Sequence, residues 1–224
     1  MHQSFQKIWK IGVTFLILFS VSALSGCLQQ PIELDGVEVR EYEGERLSSI
    51  QEFRENSISG PQNISTEDYT LKITGTVNTT QEYTYDQVLS EFQLYKKVIT
   101  LYCVEGWDVT ILWEGVLIED LIAAANPTEI ADTVIFHAED GYTTSLPLSY
   151  IQDNNILLAA KMNNITLPIE RGFPFQVVAE SKWGYKWIKW VTEIELSDNE
   201  YYRGYWERRG YANDADLNES YFGD

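Results

Sequence analysis

The chain has 224 residues and a formal net charge of −18, with 34 carboxylates against 16 lysines and arginines. That excess of negative charge argues against nucleic acid and anionic lipid surfaces as partners. Of its two cysteines and two histidines, only Cys103 and His137 lie beyond residue 27, and one of each excludes the common Cys/His zinc sites, c-type haem and iron–sulfur clusters.

Lys7 and Lys10 precede an apolar run over residues 11–24, which closes on Leu24-Ser25-Gly26-Cys27. About 14 apolar residues suit a secretory h-region better than a bilayer-spanning helix, which needs roughly 20. Residues 1–26 therefore read as a signal peptide, with Cys27 as a lipidation site; the alternative is an uncleaved N-terminal anchor. Both place the remainder outside the cytoplasm, tied to a membrane. Losing Lys7 and Lys10 with no carboxylate carries the net charge from −18 to about −20. Sequons at Asn63, Asn78, Asn164 and Asn218 fit an exported surface protein. If Cys27 carries a lipid, Cys103 has no intrachain partner in a compartment where most cysteines are paired. A lone thiol there is a liability unless it is buried or bonded. That makes Cys103 the first candidate for function.

Residues 27–64 are polar and read as a tether with an irregular lead-in. Residues 65–197 form the expected domain, and residues 198–224 a tail packed on it. The stretch 69–77 alternates apolar and polar side chains, as a half-buried strand does. Thr84-Tyr85-Asp86-Gln87 has capping-box spacing and opens a short helix. Residues 98–102 read as a buried strand delivering Cys103, and 107–113 as the next strand. A helix over 116–125 stops before Asn126-Pro127. Residues 134–138 and 142–146 read as strands joined at Asp140-Gly141. Further strands are expected over 156–162, 175–179 and, as a long final one, 185–196. Many strands with few short helices indicate an α+β domain around a mixed sheet. In the final strand, alternation puts Lys186 on the core face and Lys189 on the other. A buried ammonium needs an anionic partner, unless Lys186 snorkels out to a surface carboxylate. His137 permits a Cys103/His137 nucleophile–base pair with Asp140, but on an alternating strand it reads more simply as a core histidine.

Several segments together resemble the molybdopterin-binding oxidoreductase domain shared by sulfite oxidases, plant-type nitrate reductases and the envelope methionine sulfoxide reductase catalytic subunit. They are Leu101-Tyr102-Cys103-Val104-Glu105-Gly106-Trp107, Trp113-Glu114-Gly115-Val116, Asp140-Gly141-Tyr142, Arg171-Gly172-Phe173-Pro174, Gly184-Tyr185-Lys186-Trp187 and Gly204-Tyr205-Trp206-Glu207. The resemblance implies a sulfite-oxidase-type fold, with mixed sheets, a partial barrel and short helices. It implies a molybdenum-molybdopterin cofactor, tungsten remaining open, with Cys103 as the thiolate ligand. A soft thiolate suits a redox metal, and the protein needs to supply only one. It further implies that Gly184, Tyr185 and Lys186 approach the anionic end of the pterin.

Gln176 stands where relatives carry an arginine, and Arg171 offers a cation nearby. The relatives' upstream asparagine and Tyr-Glu pair have no evident match in residues 28–64, and the arginine-rich sulfite-binding motif is missing. The implied activity is two-electron, oxygen-atom-transfer chemistry on a small or protein-bound substrate other than sulfite, with electrons leaving to a separate partner. The alternative is a non-catalytic surface binding module that kept the fold, with cofactor binding weakened or lost.

Overall fold

Apolar runs, alternating over residues 71–75 and almost continuously buried over 109–117, 133–138 and 157–162, generate two five-stranded sheets whose placement fixes where Cys103 lies. The computed structural model describes residues 36–223. In chain order the elements are β1 (Glu41–Tyr42), β2 (Glu45–Arg46), β3 (Leu71–Gly75), β4 (Gln81–Tyr83), α1 (Tyr85–Glu91), β5 (Leu94–Tyr102) and β6 (Asp108–Leu117). They continue with α2 (Ile118–Ala125), β7 (Thr133–Ala138), β8 (Thr143–Pro147), α3 (Leu148–Asn154), β9 (Leu157–Met162), β10 (Ile165–Thr166), β11 (Gln176–Val178) and β12 (Val191–Ser197). Single 3-10 turns cover Ile169–Arg171, Gly184–Lys186 and Glu207–Arg209.

One sheet has the order β10-β9-β6-β5, with β11 also pairing β9; the other runs β4-β3-β12-β7-β8. All pairings are antiparallel except β3 with β12, which is parallel. A single apolar core lies among these elements and includes Trp113, Phe136, Phe175 and Ile194, all without exposed surface. Trp113 also donates its indole N–H to Ile99 O at 3.2 Å, which satisfies its one polar atom. At Gly115 an added Cβ would sit 2.1 Å from Leu158 O, so only glycine lets β6 and β9 approach this closely.

The mixed α+β class is as expected, and the capping box forms: Thr84 and Gln87 bond each other's backbone amides reciprocally. The Asp140-Gly141 hairpin also forms, with Gly141 at φ 80°. One expectation needs correction. Residues 185–196 are not one strand. Gly184–Lys186 is a 3-10 turn, Trp190 is left-handed at φ 53°, and β12 begins only at Val191. The cause is the pair of buried indoles: Trp187 donates to Lys182 O at 3.0 Å and Trp190 to Ile169 O at 2.8 Å. Those bonds bend the chain and cancel the period-2 alternation over residues 185–190.

The described part of the lead-in is irregular apart from the short β1–β2 pair. Residues 36–64 pack into the same compact unit as the sheets. Leu47 is buried, and Ser48 N donates to Thr110 O at 2.9 Å. The expected signal peptide and Cys27 lie outside the described residues.

Candidate active site

Cys103 follows the last residue of β5 and enters a tight turn: its N–H donates to Trp107 O at 2.9 Å, and Gly106 N returns to Cys103 O at 3.0 Å. Gly106 takes φ 83°, which glycine adopts without strain. The turn aims the half-buried thiol into a cavity of about 390 Å³, within the size range of small-molecule and cofactor sites. Asn56 reaches the thiol from the lead-in, its Nδ2 donating to Sγ at 3.7 Å. Burial pushes the Cys103 thiol up from its ordinary value, while the Glu105 amide and Asn56 partly offset this. Cofactor-free protein should therefore alkylate slowly at pH 7 and faster as pH rises above the ordinary thiol range. A rate against pH that is already flat at pH 7 would contradict that environment.

Residues 50–58 form a strap along one side of the cavity, held by two cations. Arg171 donates Nε to Ile50 O at 3.2 Å, Nη1 to Arg54 O at 3.4 Å and Nη2 to Phe53 O at 3.0 Å. Its guanidinium also lies 4.7 Å from the centre of the Phe53 ring. Lys189 Nζ pairs with Glu55 at 2.8 Å and sits 4.3 Å over Trp190. The strap contributes Asn56 and the hydroxyl of Ser57, a buried polar atom with no partner.

Of the residues expected at the site, Cys103, Arg171, Gln176, Gly184 and Tyr185 all border this cavity. Gln176 is buried in β11. Gly184 packs against the end of β5, where an added Cβ would meet Tyr102 O at 3.2 Å and Cys103 Cα at 3.6 Å. Tyr142 OH donates to Tyr185 O at 2.5 Å, and Tyr185 OH donates to Ala212 O at 2.8 Å.

Lys186 is buried on the core side, as expected, but it does not border the cavity, so its expected contact with the pterin is not made from the cavity wall. Its ammonium is fully buried against Glu207 at 2.6 Å and Ser145 O at 3.0 Å, and burial lowers its pKa against the pull of Glu207. The anion that its burial demanded is supplied by the chain itself. Lys189, expected on the opposite face, is the lysine at the cavity. His137 lies outside the cavity lining and pairs with Glu195 at 2.8 Å, which removes it as a base for Cys103. Among the sequons, Asn63, Asn78 and Asn218 are exposed, while Asn164 is half-buried in the β9–β10 turn.

Sequence reasoning missed Asn56, Lys189 and the strap. A signal existed in the clustering of Arg54, Glu55 and Asn56 directly after the aromatic Phe53, but no periodicity marks an irregular segment.

Residues 58–206 match the family described as the oxidoreductase molybdopterin binding domain. An uncharacterized oxidoreductase of Bacillus subtilis (strain 168), YuiH, is 34% identical over 144 residues, covering 64% of this chain and 72% of that protein. The putative protein-methionine-sulfoxide reductase subunit YedZ1 of Azospira oryzae is 29% identical over 143 residues, covering 64% of this chain and 54% of that protein. The protein-methionine-sulfoxide reductase catalytic subunit MsrP of Gluconobacter oxydans is 28% identical over 149 residues, covering 59% of this chain and 48% of that protein. The chain thus spans about half the length of the last two. The sulfane dehydrogenase SoxCD from Paracoccus pantotrophus has the same fold, with a TM-score of 0.60 at 23% identity over 62% of this chain and 41% of that one. The fold is thus of the sulfite-oxidase type, the match takes in most of the chain together with Cys103, though not the strap residues 53–57 that line the cavity, and the protein belongs to the molybdopterin-binding oxidoreductase family, as an enzyme of that class.

Proposed function

We propose that this chain is an exported, membrane-tethered molybdenum-pterin oxidoreductase that performs two-electron, oxygen-atom-transfer chemistry on a small or protein-bound sulfur or nitrogen substrate. The observation that carries the reading is the thiol of Cys103, the only cysteine among the described residues, aimed into a cavity bordered by Arg54, Arg171 and Lys189. A soft ligand beside fixed positive charge fits a metal–dithiolene group with an anionic tail. The unpartnered Ser57 hydroxyl on the strap adds a donor that a ligand could satisfy. Cys103 would hold the metal, with Arg171, Lys189, Gln176, Gly184 and Tyr185 around the pterin. When bound, such a cofactor supplies the two-electron redox step, molybdenum being the expected metal and tungsten the alternative.

The chain's own residues position and insulate. Asn56 donates toward Sγ and limits where the thiolate can point. Trp107, Trp187 and Trp190 wall the cavity and exclude water. The cations Arg54, Arg171 and Lys189 face the carboxylates Glu55, Glu105, Asp140 and Glu170 on the same lining. Carboxylates already outnumber cations on this lining, and an anionic cofactor makes the balance more negative, so an oxyanion such as sulfite is repelled and an uncharged substrate is favoured. Two relatives named as methionine-sulfoxide reductase subunits support that class. A separate partner would take or give the electrons.

Elemental analysis and pterin fluorescence of protein purified from its native host test the reading. About one metal and one pterin per chain are expected. Neither, with Cys103 alkylated to completion at raised pH, would instead support a binding module without a cofactor. For the tether, Cys27→Ser should release the protein into the soluble fraction or block its processing. A mature-sized, membrane-bound variant would refute lipidation.

A further inference from the structure

The tail, residues 198–223, is bonded to the turn Gly184–Lys186 at the cavity wall and to the two residues before it. Trp183 N donates to Ala215 O at 2.9 Å, Tyr185 OH to Ala212 O at 2.8 Å, and Lys182 pairs with Asp216. At the centre is Glu207, whose Oε1 accepts from Lys186 Nζ at 2.6 Å and from Thr144 Oγ1 at 2.6 Å. Neither Lys186 nor Glu207 has any exposed surface. One carboxylate oxygen therefore joins three elements: the tail, the turn and β8. Gly204 sets how closely the tail lies on β8, since an added Cβ would be 2.3 Å from Thr143 O and 2.7 Å from Glu207 Oε2.

Stability does not account for this arrangement. Withdrawing two charges from water costs several kcal/mol each, and a well-packed apolar pair is often as stable. An ion pair with shared hydrogen bonds instead fixes one relative position, because a shift of the turn leaves a buried charge unpaired. The segment fixed in this way is the one whose Gly184 and Tyr185 border the cavity.

We propose that Glu207 is a positioning residue: acting through Lys186, it sets the place of the Gly184–Tyr185 backbone at the cavity wall, so that pterin retention depends on the docked tail. This rests on the cofactor reading above. Lys186 holds the turn from behind and makes no contact with the ligand.

The test compares wild type, Glu207→Gln, Lys186→Met and the double variant Lys186→Met/Glu207→Leu. Pterin retention after gel filtration, hydrogen exchange at residues 184–186 and thermal midpoint are read at a temperature where all four are folded. Each single variant should lose about tenfold or more in retention, with faster exchange in the turn, and the double variant should be no worse than either single. The double variant should recover thermal stability without recovering retention, and Glu207→Asp should fall between wild type and Glu207→Gln. Retention equal to wild type in Glu207→Gln, or full recovery of retention in the double variant, would reduce the pair to core filling and overturn the proposal. If wild type itself takes up no pterin, the cofactor reading fails, and the positioning role falls with it. If wild type binds pterin and Glu207→Gln binds it equally, the positioning role fails alone.

Discussion

Replacing Cys103 with serine should abolish metal retention and redox activity while leaving the fold intact. The turn holding Cys103 is made by backbone bonds, from Cys103 N to Trp107 O and from Gly106 N to Cys103 O. None of them uses the sulfur. The side chain is half-buried, and serine removes little volume, so stability should change by no more than about 1 kcal/mol. Retention is another matter, because a hydroxyl is a hard, weakly acidic donor and a poor substitute for thiolate on a soft metal. Loss of a partner outside the coordination sphere typically costs 10–100-fold in metal affinity. Loss of the ligand itself should exceed about 100-fold. Metal content and thermal melting of the two proteins, measured side by side, check both halves. Stoichiometric metal in the serine variant would eliminate the thiolate bond.

Arg171→Ala should release the strap without unfolding the sheets. Three backbone carbonyls, those of Ile50, Phe53 and Arg54, lose their donor, and Phe53 loses a stacked cation. Hydrogen bonds to a charged group are worth roughly 1.5–3 kcal/mol when well formed. Two of these are long and one is partly exposed, so about 2–4 kcal/mol in total is reasonable. At 1.4 kcal/mol per decade that corresponds to roughly 30- to 1,000-fold more frequent opening. Hydrogen exchange over residues 50–58 measures it directly. Arg171→Lys should rescue little, since one ammonium cannot serve three carbonyls spaced for a planar fork. Unchanged exchange in Arg171→Ala would mean that the Lys189–Glu55 pair alone holds the strap.

The segments legible in the sequence are those whose structure is set by neighbours along the chain. Thr84 and Gln87 cap one another across three positions, and Asp140-Gly141 turns on a single left-handed glycine. Cys103 was legible for a different reason: its uniqueness and its surrounding motif mark it without any structure. What could not be read depends on partners far away. Lys186 owes its place to Glu207, and the kink at Trp190 to the distant carbonyl of Ile169. A period-2 pattern assumes an extended backbone, and two indole hydrogen bonds remove that assumption over residues 185–190. The strap is harder still: its order comes from Arg171 and Lys189, more than a hundred residues further on.

The parallel pairing of β3 with β12 bears on how the molecule assembles. Tyr69 OH bonds Val191 O across 122 positions of sequence, and closing a loop of that size costs about 4 kcal/mol of chain entropy before any contact rewards it. Hairpins such as β5–β6 and β7–β8 can close early and locally. The pocket beside Cys103 cannot, because its walls include Trp190 from just before β12 and Trp206 and Tyr211 from the tail. Such topologies fold slowly. While a growing chain still lacks those residues, Cys103 stands on a finished hairpin with no cavity around it, so cofactor capture has to be a late event in the life of the polypeptide.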